Sequence, residues 1–249
     1  MKPYYQHAGI TIYHGDCREV LPSLQAESID LIVTDPPYGV RWKSCFRRLE
    51  FDHIVGDEDT EAAVEGVRMA LSALRPHRHV YVFGRYDFSH TGLQDTVELI
   101  WDKGIQGSGN VSLPWGVEHE YIQFGVYIPS GWNRKDGRGR LSARLRKGSV
   151  LNVPRLNATA VKSHPTEKPV LLLRQLIESS SCIGETVLDP FMGVGSTLKA
   201  AEIEGRNAIG IEIDERYCEL AVKRLGQEVL PFEIPTGTTM GPPEEVSNA

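Results

Sequence analysis

A doubly wound, mostly parallel α/β sheet is the fold this sequence predicts. Three observations carry it. Strand-like and helix-like segments alternate along most of the chain. Four carboxylates, Asp16, Asp35, Asp189 and Glu212, stand at or just past the ends of expected strands. A glycine-rich turn, Asp189 to Thr197, joins one of those strands to a helix. Open α/β sheets bind ligands outside the carboxyl ends of their strands, so four acids on one rim mark a site where one would mean little.

The elements follow in order. Thr11 to His14 is a short β-like run closed by Gly15-Asp16, and a helix is expected over Cys17 to Leu24. Ile29 to Thr34 reads as a buried strand, and Asp35-Pro36-Pro37 stops it because proline cannot donate to a ladder. Apolar residues at Ala63, Val67, Ala70, Leu71 and Leu74 predict a helix from Thr60 to Leu74. His79 to Phe83, Val97 to Trp101 and Glu120 to Tyr127 read as strands, the last two separated by a glycine-rich loop. Pro129 to Lys162 is rich in Gly, Arg and Asn without a period, and reads as an insertion or long loop. Beyond it the spacing predicts a helix over Pro169 to Ser180, a strand over Thr186 to Leu188 ending at Asp189, and a helix over Ser196 to Glu204. A strand over Asn207 to Ile213 and a helix over Glu215 to Leu225 complete the pattern. From Gly226 on, the chain is Pro-, Gly-, Thr- and Glu-rich without lysine or arginine, and reads as a disordered tail. A single domain over residues 1–225 is therefore expected, with 226–249 outside it.

Composition narrows the class. Hydrophobic residues at 41% and charged residues at 24% are ordinary for a soluble globular protein. None of Cys17, Cys45, Cys182 and Cys218 forms a CxxC pair, so neither a zinc site nor a redox motif is indicated, and free thiols in a reducing cytoplasm are expected. Met1 to Gly9 has no apolar stretch of the signal-peptide kind, and no apolar run approaches the roughly 20 residues of a membrane span. The net charge of −6 argues on its face against a polyanionic partner, but net charge is a poor proxy for a local surface. Two segments are strongly basic: Arg41, Lys43, Arg47 and Arg48, and the run Arg134, Lys135, Arg138, Arg140, Arg144, Arg146 and Lys147, opposed only by Asp136. Solvated loops are the plainer account of both.

Asp35-Pro36-Pro37-Tyr38 is the sharpest motif. Two prolines fix the backbone and remove donors, leaving nearby carbonyls as acceptors. An exocyclic amine carries two N–H donors, and Asp35 and the Pro36 carbonyl can accept one each. That draws the nitrogen toward tetrahedral geometry and frees its lone pair. Tyr38 offers a flat face on which an extruded base can stack. The alternative is a tight turn after a strand. In Asp189-Pro190-Phe191-Met192-Gly193-Val194-Gly195-Ser196-Thr197, the glycines allow close backbone approach to a ligand at a helix N-terminus. A phosphate loop is the weaker reading, since GxxxxGK[ST] is absent and a third dinucleotide glycine is missing. Glu212 closes the next strand, where a carboxylate can accept both hydroxyls of a ribose; taken alone it could equally be a helix-capping acid.

Together these residues resemble the amino-methyltransferase branch of the class I S-adenosylmethionine-dependent enzymes, and closely the DNA adenine-N6/cytosine-N4 methyltransferase family, from Ile12 to Leu225. The resemblance implies the class I fold with S-adenosylmethionine as cofactor, no metal, and a catalytic turn at Asp35, Pro36, Pro37 and Tyr38. It gives the cofactor to Asp189, Phe191, Gly193, Gly195, Ser196 and Thr197, with Glu212 on the ribose and Asp16 on the adenine. His164, Pro165, Thr166 and Lys168, from the string His-Pro-Thr-Glu-Lys-Pro, would hold the methionine part. Trp101-Asp102-Lys103 and His119-Glu120-Tyr121 also fall where the family has similar strings, or are ordinary strand and loop residues.

The catalytic motif precedes the cofactor loop, which resembles the circularly permuted β group: the chain begins at the usual third strand and ends after the second. In that group the target-recognition segment falls at Pro129 to Ser163 here. Arg134, Arg138, Arg140, Arg144, Arg146 and Lys147 are then expected DNA contacts, with Arg41 and Lys43 next in line. The interval is short, so the DNA surface is either small or completed by a second subunit. A homodimer and a separate restriction endonuclease stay open as partners, and a bacterial or phage-encoded cytoplasmic protein is implied.

The implied reaction is direct in-line methyl transfer to adenine N6 of a flipped base in double-stranded DNA. Cytosine N4 is the alternative, although that subgroup more often has Ser in the place of Asp35. A non-catalytic DNA-binding protein that kept the fold is a further one. RNA bases and protein glutamine are substrates of related enzymes, the latter usually with Asn at that place. Cytosine C5 transfer would need a nucleophilic cysteine, typically after proline, and none of the four follows one.

Overall fold

A computed structural model of the chain describes residues 1–37, 60–88, 91–104, 114–131, 147–155 and 167–226. Tyr38, Arg41, Lys43, Arg47, Arg48, the basic run from Arg134 to Arg146, His164 to Thr166 and the tail from residue 227 lie outside the described residues.

The described strands are β1 (Tyr5–His7), β2 (Ile10–His14), β3 (Ile29–Thr34), β4 (Leu74–Phe83), β5 (Leu93–Asp102), β6 (His119–Tyr127), β7 (Val150–Asn152), β8 (Thr186–Asp189) and β9 (Asn207–Glu212). They form one sheet in the order β1-β2-β9-β8-β3-β4-β6-β5-β7. The run β2-β9-β8-β3-β4 is parallel, β1 pairs antiparallel with β2, and β6 is inserted antiparallel between β4 and β5.

Helices cover both faces. On one lie α3 (Val170–Ser180), α4 (Ser196–Ile203) and α5 (Glu215–Leu225), where Leu172, Leu176, Leu198 and Ala221 bury against Leu31 and Val33 of β3. On the other lie α1 (Cys17–Val20) and α2 (Thr60–Ala70), where Val20, Val67 and Ala70 bury with Ile32, Val80 and Ile211. Successive β3 side chains thus feed opposite layers, which is why its sequence reads as continuously apolar rather than alternating. The doubly wound expectation holds.

The winding of the sheet reverses between β8 and β3. From β8 the chain goes on to β9 on one side, and from β3 to β4 on the other, so the gap between their carboxyl ends is the topological switch point, the place where such sheets bind ligands.

Several expectations shift. The helix after Cys17 ends at Val20 and gives way to a 3-10 turn over Leu21–Ser23, as Pro22 has no N–H to continue an α-helix. The helix expected to reach Leu74 stops at Ala70, and Leu74 already pairs with Ile29 as the first residue of β4. Between the pairs Ile29–Leu74 and Leu31–His79, two residues of advance on β3 face five on β4. That bulge takes up Pro76 and the left-handed His77 (φ 61°). Within the stretch read as an insertion, Val150–Asn152 forms β7 on the sheet edge, and the Trp101 indole donates to the Val153 carbonyl at 2.7 Å.

Candidate active site

The switch-point crevice is lined by two motifs that are far apart in sequence. Asp189 ends β8 and Asp35 follows β3. The Thr34 hydroxyl donates to Asp189 Oδ1 at 2.8 Å, and the Phe191 amide donates to the same oxygen at 3.1 Å. Burial pushes the Asp189 carboxyl up to about 6; hydrogen bonds from Thr197, Thr34 and the Phe191 amide oppose the rise, and the neighbouring Asp35 charge adds to it.

The two glycines of the loop differ in what surrounds them. Both are left-handed, Gly193 at φ 51° and Gly195 at φ 76°. A Cβ on Gly195 would stand 2.9 Å from the Ala221 methyl, so this glycine serves the packing of α4 against α5. A Cβ on Gly193 would meet nothing within 4 Å, so its backbone is open to a ligand. Ser196 and Thr197 are buried at the start of α4, and Ser196 Oγ accepts from Arg224 at 2.6 Å. Phe191 packs toward α2, where only a glycine at 66 leaves room: a Cβ there would lie 2.6 Å from the ring.

Glu212 closes β9 and holds the loop to the strand. Its Oε2 accepts from the Gly193 amide at 3.0 Å and its Oε1 from the Asp214 amide at 2.8 Å. Burial pushes this carboxyl up to about 7 against the pull of those amides. The Gly15 amide donates to the Glu212 carbonyl at 2.9 Å, which sets Asp16 beside the same rim. Asp16 caps α1 through the Arg18 amide at 2.8 Å and pairs with the Arg18 guanidinium at 2.5 Å, a hydrogen bond that holds its carboxyl below the ordinary value.

On the other side of the crevice, Lys168 Nζ lies 2.5 Å from Asp35 Oδ2 and 3.3 Å from Glu120 Oε2. Glu120 Oε1 is in turn 2.6 Å from Lys103. Lys168 is only 6% exposed and sits 5.0 Å above the Phe83 ring. Burial alone would raise the Glu120 carboxyl, but the two lysines outweigh it and hold it low. Burial likewise pulls the Lys168 ammonium down, and Asp35 and Glu120 outweigh it, so the net direction is up. The Tyr86 hydroxyl donates to the Pro36 and Pro37 carbonyls at 3.1 and 3.3 Å. Tyr86 is itself fixed by Gln123, which accepts from its amide at 2.8 Å and donates to its carbonyl at 2.9 Å.

The structure therefore brings Asp16, Asp35, Pro36, Pro37, Lys168, Asp189, Phe191, Gly193, Gly195, Ser196, Thr197 and Glu212 to one end of the sheet. Lys168, read with the methionine-holding segment, touches Asp35. Its neighbour Glu167 faces the other way and pairs with Arg224 at 2.5 Å. Lys147, the described member of the basic run, pairs with Glu178 of α3 at 2.8 Å and is not part of the rim. Glu120 and Lys103 were visible in sequence only as family-like strings. Tyr86 and Gln123 carried no signal. Among the described residues there is no cluster of His, Cys, Asp and Glu able to hold a metal, and no helix is long and apolar enough to cross a membrane.

A doubly wound sheet with an antiparallel strand inserted near one edge, a glycine loop after β8 and an acid closing β9 defines the class I S-adenosylmethionine-dependent methyltransferase fold. Within that class the chain belongs to the adenine-N6/cytosine-N4 DNA methylase family, whose family model, described as DNA methylase, matches residues 100–223. The methylase YubD of Escherichia coli strain K12 is 30% identical over 85% of this chain and 88% of its own length. The DNA adenine methyltransferase YhdJ of the same organism is 27% identical over 86% of this chain and 82% of its own. Among solved structures, the DNA modification methylase TTHA0409 of Thermus thermophilus, complexed with S-adenosyl-L-methionine, is 26% identical with a TM-score of 0.59, covering 89% of this chain and 95% of that one. The cytosine-N4-specific PvuII DNA methyltransferase shares the fold, with a TM-score of 0.68 at 18% identity over 92% of this chain and 90% of its own.

S-adenosylmethionine is the cofactor of this family, and the rim suits it. The open side of Gly193 leaves backbone space for a ligand, and beside it Asp189 gives a buried acceptor and Glu212 a half-buried one.

Proposed function

We propose that this chain methylates N6 of adenine in double-stranded DNA, acting on a base extruded from the duplex. The observation that carries the reading is the meeting of Asp35-Pro36-Pro37 and the glycine loop across one switch point, tied by the bond from Thr34 to Asp189. Bound S-adenosylmethionine supplies a methyl group already activated by a sulfonium. The residues of the chain bind, orient and stabilise. Gly193 and Glu212 receive the cofactor, and the carboxylates around the crevice favour its cationic centre. Asp35 accepts one N–H of the target amine and the Pro36 carbonyl the other, which aims the nitrogen lone pair. Tyr86 holds that carbonyl in the structure, so it shares or yields the acceptor as the base enters. Positioning and preorganised charge account for the rate.

Adenine is favoured by Asp35 at the head of the motif and by the likeness to YhdJ, whose name gives adenine. The Arg134 to Arg146 run is proposed to contact DNA phosphates, with Arg41 and Lys43 beside the catalytic turn. Long-read sequencing of DNA from cells expressing the chain reads base and motif together. N6-methyladenine in a fixed sequence context supports the proposal; N4-methylcytosine instead, or no modification above a vector control, rejects it.

A further inference from the structure

We infer that Lys168 is a positioning residue for methyl transfer: anchored by Glu120, it holds the Asp35 carboxylate in the orientation in which it receives the target amine. The inference rests on the proposed role of Asp35. Four charges of alternating sign run from the sheet edge to the catalytic turn. Lys103 follows β5, Glu120 is on β6, Lys168 precedes α3 and Asp35 follows β3, with contacts of 2.6, 3.3 and 2.5 Å. Each member comes from a different segment, so the line forms only when β6 is inserted beside β4.

A purely structural clamp is a poor account of this line. Taking an ammonium and two carboxylates out of water is expensive, and apolar side chains of similar volume would hold the same elements at least as well. The arrangement does have a chemical use. An amine under alkylation gains positive charge, so the Asp35 carboxylate must be aimed at it and its field toward the amine must stay negative. Lys168 alone would secure the first and weaken the second. Glu120, on the far side of Lys168, offsets part of the ammonium charge and lets both conditions hold. Among the described residues, the charged groups near Asp35 are Lys168 at the turn before α3, Glu120 on β6 with Lys103 behind it, and Asp189 across Thr34.

The test uses the full chain with saturating cofactor and a DNA duplex carrying the methylated motif. Single-turnover transfer and cofactor affinity by calorimetry are measured for wild type, Lys168→Met, Lys168→Arg and Glu120→Gln. Lys168→Met is expected to slow transfer about a hundredfold, the scale of losing one preorganised electrostatic group, with cofactor affinity within about threefold of wild type. Lys168→Arg should recover a large part of the rate. In an Asp35→Asn background Lys168→Met should add little, as expected of two residues acting as one unit. Transfer near the wild-type rate, or a loss of cofactor affinity in step with the rate, overturns the inference. If Lys168→Met does not fold, Glu120→Gln decides: a roughly tenfold slower transfer at unchanged cofactor affinity supports it, and a wild-type rate overturns it. A wild type that transfers nothing to adenine rejects the functional reading instead, and is seen before any variant is made.

Discussion

The two ends of the central sheet each carry a buried ion network, and they are built differently. At the amino ends, Asp30 of β3 is met by Arg75 and Arg78 from the β4 bulge, with Arg78 at 3.2 Å, and by the Thr186 amide at 3.0 Å. Glu185 takes the other side of Arg78 at 2.6 Å and accepts from the Cys182 amide at 2.7 Å. Two acids face two guanidiniums, whose planar donors and permanent charge suit a fixed joint. At the carboxyl ends, Asp35 and Glu120 share the Lys168 ammonium, with Lys103 behind Glu120, while Asp189 and Glu212 are held by hydroxyl and amide donors. The balanced end holds the sheet together. The unbalanced end leaves negative charge directed into a crevice and two acids that titrate near neutral pH, which suits a cationic ligand and a reaction.

That contrast predicts opposite phenotypes. Asp35→Ala should give the largest change in chemistry: transfer falls by about a hundredfold or more, with cofactor affinity by calorimetry within about threefold. Near-normal turnover would remove Asp35 from the mechanism. Asp30→Ala should do the reverse. Stability drops by roughly 3 kcal/mol, the low end for a broken buried ion pair because the Arg75 side chain is 44% exposed, while transfer per folded molecule stays at the wild-type level. Urea melts alongside active-site titration separate the two.

The glycine loop repeats the division on a smaller scale. Gly195→Ala adds a left-handed alanine and a contact with Ala221, a stability loss of roughly 2 kcal/mol that a thermal melt resolves. Gly193→Ala costs about 1 kcal/mol of backbone strain, and its main expected effect is weaker cofactor binding. Equal melting losses for the two, with cofactor affinity intact in both, would contradict the division of labour.

The smallest effect is with pH. Glu212, pushed up to about 7, and Asp189, pushed up to about 6, hold protons more tightly folded than unfolded. Their contribution to the stability of the cofactor-free protein is therefore full at low pH and declines as pH rises through those values. Cofactor binding favours ionised Glu212, so affinity should move the other way, tightening by about threefold to tenfold from pH 6.5 to 8. His79, buried and lowered to about 4, has finished its own change below that window. Glu212→Gln should flatten the affinity profile; a profile of unchanged slope would mean another group titrates.

The sequence showed the centre of this molecule better than its edges. β3 and α5 have the bounds their apolar patterns predict, because each is an unbroken local signal. β1 and β7 are three-residue strands with no room for a period, and only their partners make them strands. The site divides in the same way. Asp35, Asp189 and Glu212 were legible because strand ends announce themselves through prolines, glycines and acids. Glu120 was legible only as part of a family-like string and Tyr86 not at all, because their positions depend on β6 lying antiparallel beside β4, a pairing that no local window contains. Lys168 was read with the methionine-holding segment, and its contact with Asp35 likewise depends on a pairing of distant segments.

The bond between Thr34 and Asp189 also governs when the protein can first work. Its partners are 155 residues apart, and β3, buried on both faces, has β8 as one of its two flanking strands. On a ribosome adding about 5–20 residues per second, β3 waits roughly 10 to 30 s for that neighbour. Through that interval an apolar strand edge is bare, open to pairing with another nascent chain or to a chaperone. Both sides of the crevice are complete only after β8 and β9 have emerged, so no partly made chain holds the assembled site.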